Sequence, residues 1–192
     1  MELMEKIYHC LPYAGDDPEN DRMNVIDMQH RWEVMQHWQI QPGWRILEVG
    51  CWDGYMSLPL AAAAGEQGHV TAVDTLPGTD LSDQNNPDSS LQRSADHVKK
   101  SWLGDRIEYR FETDLLDPAI DFPENHFDLV VFYNSSFYIA SKDIIQNLFK
   151  RTRLWARRLG YHEWDLTPHS LNQVPHLLGL LLKSQLVSFD PD

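Results

Sequence analysis

The sequence predicts an α/β fold, a doubly wound and mostly parallel sheet of about five strands behind a helical N-terminal segment. Three observations carry this. Arg45-Ile46-Leu47-Glu48-Val49 reads as a buried strand that runs into Gly50-Cys51-Trp52-Asp53-Gly54 and then into an apolar helix. A second apolar run, residues 69–73, follows and ends in its own carboxylate, Asp74. Strand and helix patterns then alternate along the rest of the chain, which points to parallel strands with helices on both faces.

Each element has a local reason. Residues 1–40 are helical in tendency. From Asp17-Pro18-Glu19 onward, Met23, Ile26, Met28, Trp32, Met35 and Trp38 recur at near-helical spacing. They read as an amphipathic helix on the sheet, with a lid over a ligand mouth as the functional alternative. Gln41-Pro42-Gly43 turns the chain into strand one. The helix after Gly54 runs through the alanines at 61–64 and stops at Gly65; Pro59 is tolerated only in its first turn. Residues 76–90 read as a long polar loop, with Asp88 or Ser89 capping a helix to Trp102. Strand three covers 106–112 and strand four 127–133, an apolar run of strand length. Ser141 opens a helix with Ile144, Ile145, Leu148 and Trp155 on one face. A fifth strand near 159–164 precedes a last apolar helix around 176–186.

Size and composition bound the function. A chain of 192 residues holds one domain with a real core, read as a helical lid over 1–40 and a sheet domain over 41–192. Seven Trp, seven Tyr and seven Phe argue for a packed globule. A formal net charge of −13 speaks against a nucleic-acid partner, which requires a basic footprint. Cys10 and Cys51 have no CxxC spacing, so a disulfide framework or zinc site is not expected and a reducing, cytoplasmic location is. No signal peptide is visible, and the apolar run at 174–182 is too short and too interrupted to span a bilayer. The nine histidines include no ligand pair backed by an acid on an evident helix, so no metal is expected.

Three acids fall at the ends of three successive strands: Glu48, Asp74 and Asp114. Glu48 can accept from N–H groups of the glycine turn or from a ligand ammonium. Asp74 stands where doubly wound folds place the acid that takes both ribose hydroxyls. Asp114 can accept from an adenine amino group. Gly50 and Gly54 let the backbone approach a ligand closely. This set resembles the class I S-adenosylmethionine-dependent methyltransferases, whose first motif is an acid and alternating glycines after an apolar strand. Phe127 to Tyr133 is similar to their fourth-strand motif. The resemblance spans roughly residues 40–165, with a closer likeness to small-molecule methyltransferases of secondary metabolism that carry a helical N-terminal lid.

The resemblance implies a Rossmann-like methyltransferase sheet with S-adenosylmethionine as cofactor. Its contacts would be Glu48, Gly50, Cys51, Trp52, Gly54, Asp74, Thr75, Asp114 and Leu115. The reaction it implies is methyl transfer to a small organic acceptor, without nucleic acid or membrane. His162, as a general base, and Tyr133 are the candidate catalytic residues. Tyr8, His30, Trp32, Ser135 and Tyr138 are the candidate substrate contacts. Two departures stand against the family pattern. Trp52 replaces its middle glycine, where an indole either blocks the cofactor or swings aside and stacks on it; position alone favours blocking. The chain also ends before the family's C-terminal β-hairpin. Strand five then presents an open edge that invites a homodimer, and a non-catalytic methyltransferase-fold protein acting by binding or assembly is the alternative reading. A dinucleotide-binding dehydrogenase fits less well, because the turn lacks G-x-G-x-x-G.

Overall fold

The computed structural model describes residues 2–79, 90–139 and 141–189, the side chains of 183–189 excepted. The chain divides into two compact units, Met1–His162 and Glu163–Asp192. Residues 1–40 thus fall within the first unit.

In the first unit two helices, α1 (Glu2–Tyr8) and α2 (Pro18–Gln36), precede the sheet. Asp17 caps α2 by accepting from the Glu19 N–H, and Pro18 opens its first turn, where a missing N–H costs nothing. Then come β1 (Arg45–Val49), α3 (Ser57–Ala64), β2 (His69–Val73), α4 (Leu91–Val98), β3 (Ile107–Arg110), β4 (Leu129–Tyr133), α5 (Lys142–Trp155) and β5 (Leu159–His162). All four strand pairings are parallel, in the order β3-β2-β1-β4-β5. The central strands β1 and β4 are buried almost throughout, which is why β4 reads as an unbroken apolar run. The strand order reverses between β1 and β4, and ligands of open α/β sheets bind outside the carboxyl ends at such a switch point.

Alternation along the strands splits the core between the two faces. Ile46, Val70, Ala72, Ile107, Leu129, Val131 and Tyr133 join the core built with α1, α2, α3 and α4. Leu47, Val49, Val73, Val130 and Phe132 pack with Leu148 and Trp155 of α5. By the same alternation Glu48 falls on the face that carries Ile46, and it is 2% exposed.

Several boundaries differ from the sequence reading. Ser90 caps α4 by accepting from the Arg93 N–H, and the helix stops at Val98; Asp88 and Ser89 lie outside the described residues. β3 is shorter than residues 106–112, since Glu112 takes a left-handed φ of 52° and leaves the ladder. Phe127 joins the sheet only through a single parallel bridge to Ala156. β5 ends at His162.

The second unit holds a short turn, Leu171–Gln173, closed by a capping box between Ser170 and Gln173, and the helix α6 (Val174–Phe189). His169 Nε2 lies 3.2 Å from Asp165 Oδ2. No helix among the described residues is long and apolar enough to cross a membrane.

Candidate functional site

The glycine turn is stitched to the end of β2. The Gly50 and Cys51 N–H groups both donate to the Val73 carbonyl, at 2.9 and 3.1 Å. The Trp52 N–H donates to Asp74 Oδ2 at 2.9 Å, and the Leu76 N–H to Asp74 Oδ1 at 3.0 Å. Trp52 has a φ of 49°, a left-handed conformation that costs a residue with a Cβ roughly 1–2 kcal/mol. The Asp74 carboxylate is what holds it there. The indole is 41% exposed rather than buried in the turn. Asp53 organises the other side: Oδ2 accepts from the Tyr13 hydroxyl at 2.9 Å and Oδ1 from the Tyr55 N–H at 3.2 Å.

The two glycines meet the chain itself. A Cβ at Gly50 would lie 2.5 Å from Ser135 Cβ, and one at Gly54 would lie 2.0 Å from Tyr109 Oη. Both residues have positive φ, 80° and 91°, so glycine is required twice over. The Ser135 hydroxyl is buried without a hydrogen-bond partner among the described residues, and the buried Tyr109 hydroxyl faces Ser57. The Ser57 hydroxyl beside Tyr109 is committed to Glu48.

Glu48 neither joins the glycine turn nor reaches the surface. Its Oε2 accepts from Ser57 Oγ at 2.5 Å. Burial pushes its pKa up to about 8, against the opposing pull of the Ser57 hydrogen bond and the Arg31 charge. Burial, and then the charges of Glu48 and Asp74, hold the Cys51 thiol well above its ordinary range. Cys51 is a packed residue, not a nucleophile.

Helix α2 covers the switch point with two consecutive side chains, His30 and Arg31. The Arg31 guanidinium carbon lies 4.5 Å from the Tyr55 ring centre and 4.7 Å from that of Tyr133. The Tyr133 ring also stacks on His162, at 4.4 Å and 9° between planes. A cation and an imidazole that both lie face-on at such distances must take opposite faces of the ring. Tyr55, Arg31, Tyr133 and His162 therefore form a column across the ends of β1, β4 and β5. His30 meets the edge of His162 at 6.2 Å. Asn134 grips His162 twice: its N–H donates to the His162 carbonyl at 3.0 Å, and its Oδ1 lies 2.9 Å from Nδ1.

The sequence candidates fall into two groups. Gly50, Cys51, Trp52, Gly54 and Asp74 gather at the turn, with Ser135 against Gly50 and Glu48 buried beside it on Ser57, and Tyr133, His162 and His30 gather in the column. Thr75 is exposed just past β2. Asp114 is exposed beyond β3 and caps a turn by accepting from the Leu116 N–H at 2.8 Å, while Leu115 is buried. Tyr8 is 1% exposed, and its hydroxyl donates to Asp21 and accepts from Asn24; it serves the packing of α1 on α2. Trp32 lines a groove of about 230 Å³ with Met35, Ile40 and Ala62, away from the column. Tyr138 is 76% exposed. Sequence reasoning missed Arg31 and Tyr13. Only Arg31 left a trace, an i,i+4 pair with Asp27, and that pattern marks an ordinary helix surface.

No family model and no curated protein matches the chain. Solved structures do. One is a cyclopropane-fatty-acyl-phospholipid synthase-like protein from Lactobacillus casei ATCC 334: the match covers 100% of this chain and 68% of that one, at 28% identity and a TM-score of 0.86. Another is a SAM dependent methyltransferase from Aquifex aeolicus, covering 78% of this chain and 77% of that one, at 16% identity and a TM-score of 0.52. The second likeness is one of fold.

Proposed function

We propose that this chain, whose fold is that of the class I S-adenosylmethionine-dependent methyltransferases, binds S-adenosylmethionine and methylates a small organic acceptor. The observation that carries the reading is the glycine turn of β1 hydrogen-bonded to the end of β2, with Asp74 beside it. Each Asp74 oxygen accepts one backbone N–H and keeps lone-pair capacity for a ribose hydroxyl. The buried Ser135 hydroxyl against Gly50, without a partner among the described residues, is a group that a ligand at the strand ends would satisfy. Asp114 would serve the adenine side from beyond β3.

S-adenosylmethionine, when bound, supplies a methyl group on a sulfonium and leaves as the neutral thioether. The chain's own work is to place the acceptor and take its proton. With its Nδ1 2.9 Å from Asn134 Oδ1, His162 in the Nδ1–H tautomer has Nε2 as its basic ring nitrogen. The proton of an acceptor O–H or N–H goes to that nitrogen as the acceptor's lone pair takes the methyl. Tyr133 holds the imidazole face. A net charge of −13 favours a small acceptor over nucleic acid.

Calorimetric titration with S-adenosylhomocysteine tests the reading. Binding by the wild type is expected; its absence in the folded protein would refute it.

A further inference from the structure

We propose that the gap between the Tyr55 and Tyr133 rings, filled here by the chain's own Arg31, is a binding site for a methylated onium group, an ammonium or a sulfonium carried by a ligand. Distances of 4.5 and 4.7 Å from a cation to two ring centres are those of an aromatic cage, the arrangement that recognises quaternary ammonium groups. An onium centre without N–H bonds cannot be held by hydrogen bonds, so aromatic faces and nearby negative charge must do it. Both are present. Asp27 Oδ2 lies 2.8 Å from Arg31 Nε.

The walls stand without Arg31. The Tyr55 hydroxyl donates to the Asn24 carbonyl at 2.5 Å. Tyr133 is carried by a central strand and backed by His162. The present occupant, by contrast, is weakly tethered. Its one ion pair among the described residues is with Asp27 on the same helix, whose side chain is 46% exposed, the kind of pair that contributes least. Among the described residues its terminal nitrogens make no hydrogen bond. Arg31 thus acts as an internal stand-in that a ligand cation displaces. The inference goes beyond the cofactor reading and does not need it.

The test is an NMR titration of the full chain with tetramethylammonium chloride, against sodium chloride at equal ionic strength. Arg31→Ala empties the gap and is expected to bind tetramethylammonium at least tenfold more tightly than wild type. Adding Tyr133→Leu is expected to abolish the gain. Arg31→Met, which keeps the helix and refills the gap with an uncharged chain, is expected to bind no more tightly than wild type. No gain in Arg31→Ala, a gain that survives Tyr133→Leu, or an equal response to sodium would overturn the proposal. Competition then separates the sources. Displacement by S-adenosylmethionine and not by S-adenosylhomocysteine assigns the gap to a sulfonium. Displacement by neither, with S-adenosylhomocysteine bound in a separate titration, assigns it to an ammonium on the acceptor. Displacement by both would show that charge is not what the gap recognises, and would overturn it.

Discussion

Glu48→Gln is the perturbation that most directly tests the physics of the site. Glu48 is fully buried against Ser57, and its pKa stands at about 8 in the folded chain against 4.5 when unperturbed. Between those values the folded protein keeps a proton that the unfolded chain has released. The contribution of Glu48 to stability must therefore fall as pH rises from 4.5 to about 8, and stay level above that. At about 1.4 kcal/mol per pH unit the full loss is about 5 kcal/mol, a large share of the roughly 5–15 kcal/mol that holds a domain folded. Glutamine keeps an oxygen for the Ser57 hydroxyl and removes the titration. Its amide N–H2 lacks an assigned partner, a pH-independent cost of about 1–3 kcal/mol. Urea unfolding followed by tryptophan fluorescence, from pH 5 to pH 9, measures both proteins. The variant is expected to be the less stable at pH 5, to gain on wild type by several kcal/mol up to pH 8, and to run parallel above it. Parallel profiles across the whole range, or a variant that loses ground as pH rises, would refute the reasoning.

Three further outcomes are expected. Asp74→Ala leaves the Trp52 and Leu76 N–H groups without their acceptor, so it should weaken S-adenosylhomocysteine binding by about 1–3 kcal/mol and also lower the melting temperature; calorimetry and a thermal scan read the two effects, and unchanged affinity would sink the ribose assignment. Gly54→Ala drives a Cβ against Tyr109 Oη at a positive φ, which should cost about 2–4 kcal/mol. Tyr109→Phe removes the nearest of the three clashing Tyr109 atoms and should restore part of that loss in the double variant, so an additive double-mutant cycle would contradict the contact. Trp52→Gly accepts the φ of 49° without steric cost and clears the indole, so it should tighten S-adenosylhomocysteine binding; weaker binding would mean that the indole stacks on the ligand.

What could be read from sequence was what neighbours along the chain decide. The runs 45–49 and 69–73 became β1 and β2 at those bounds, because burial on both faces leaves no other use for short apolar β-formers. The glycine turn was legible because positive φ needs glycine. Trp52, at the middle-glycine position of the resembled motif, shares that conformation, and the Asp74 contact that accompanies it was not legible. Whether those glycines face a ligand or the chain was equally hidden, since Ser135 and Tyr109 arrive from other strands.

The acids divide in the same way. Their places at strand ends follow from local pattern, and that pattern, with the alternation of strand and helix, is what the sequence by itself determined. Their partners were decided only by the tertiary structure. Glu48 is buried against Ser57 of α3, from whose hydroxyl it accepts a hydrogen bond. Asp53 is closed off by Tyr13, far upstream. Arg31, read from its helix alone, is half of a surface ion pair; packing α2 over the switch point slides it between two tyrosines and makes it the most consequential cation in the site. The reason is physical: backbone preference and hydrophobic period act over a few residues, whereas desolvation and charge depend on which distant side chains the fold brings to the same few ångströms.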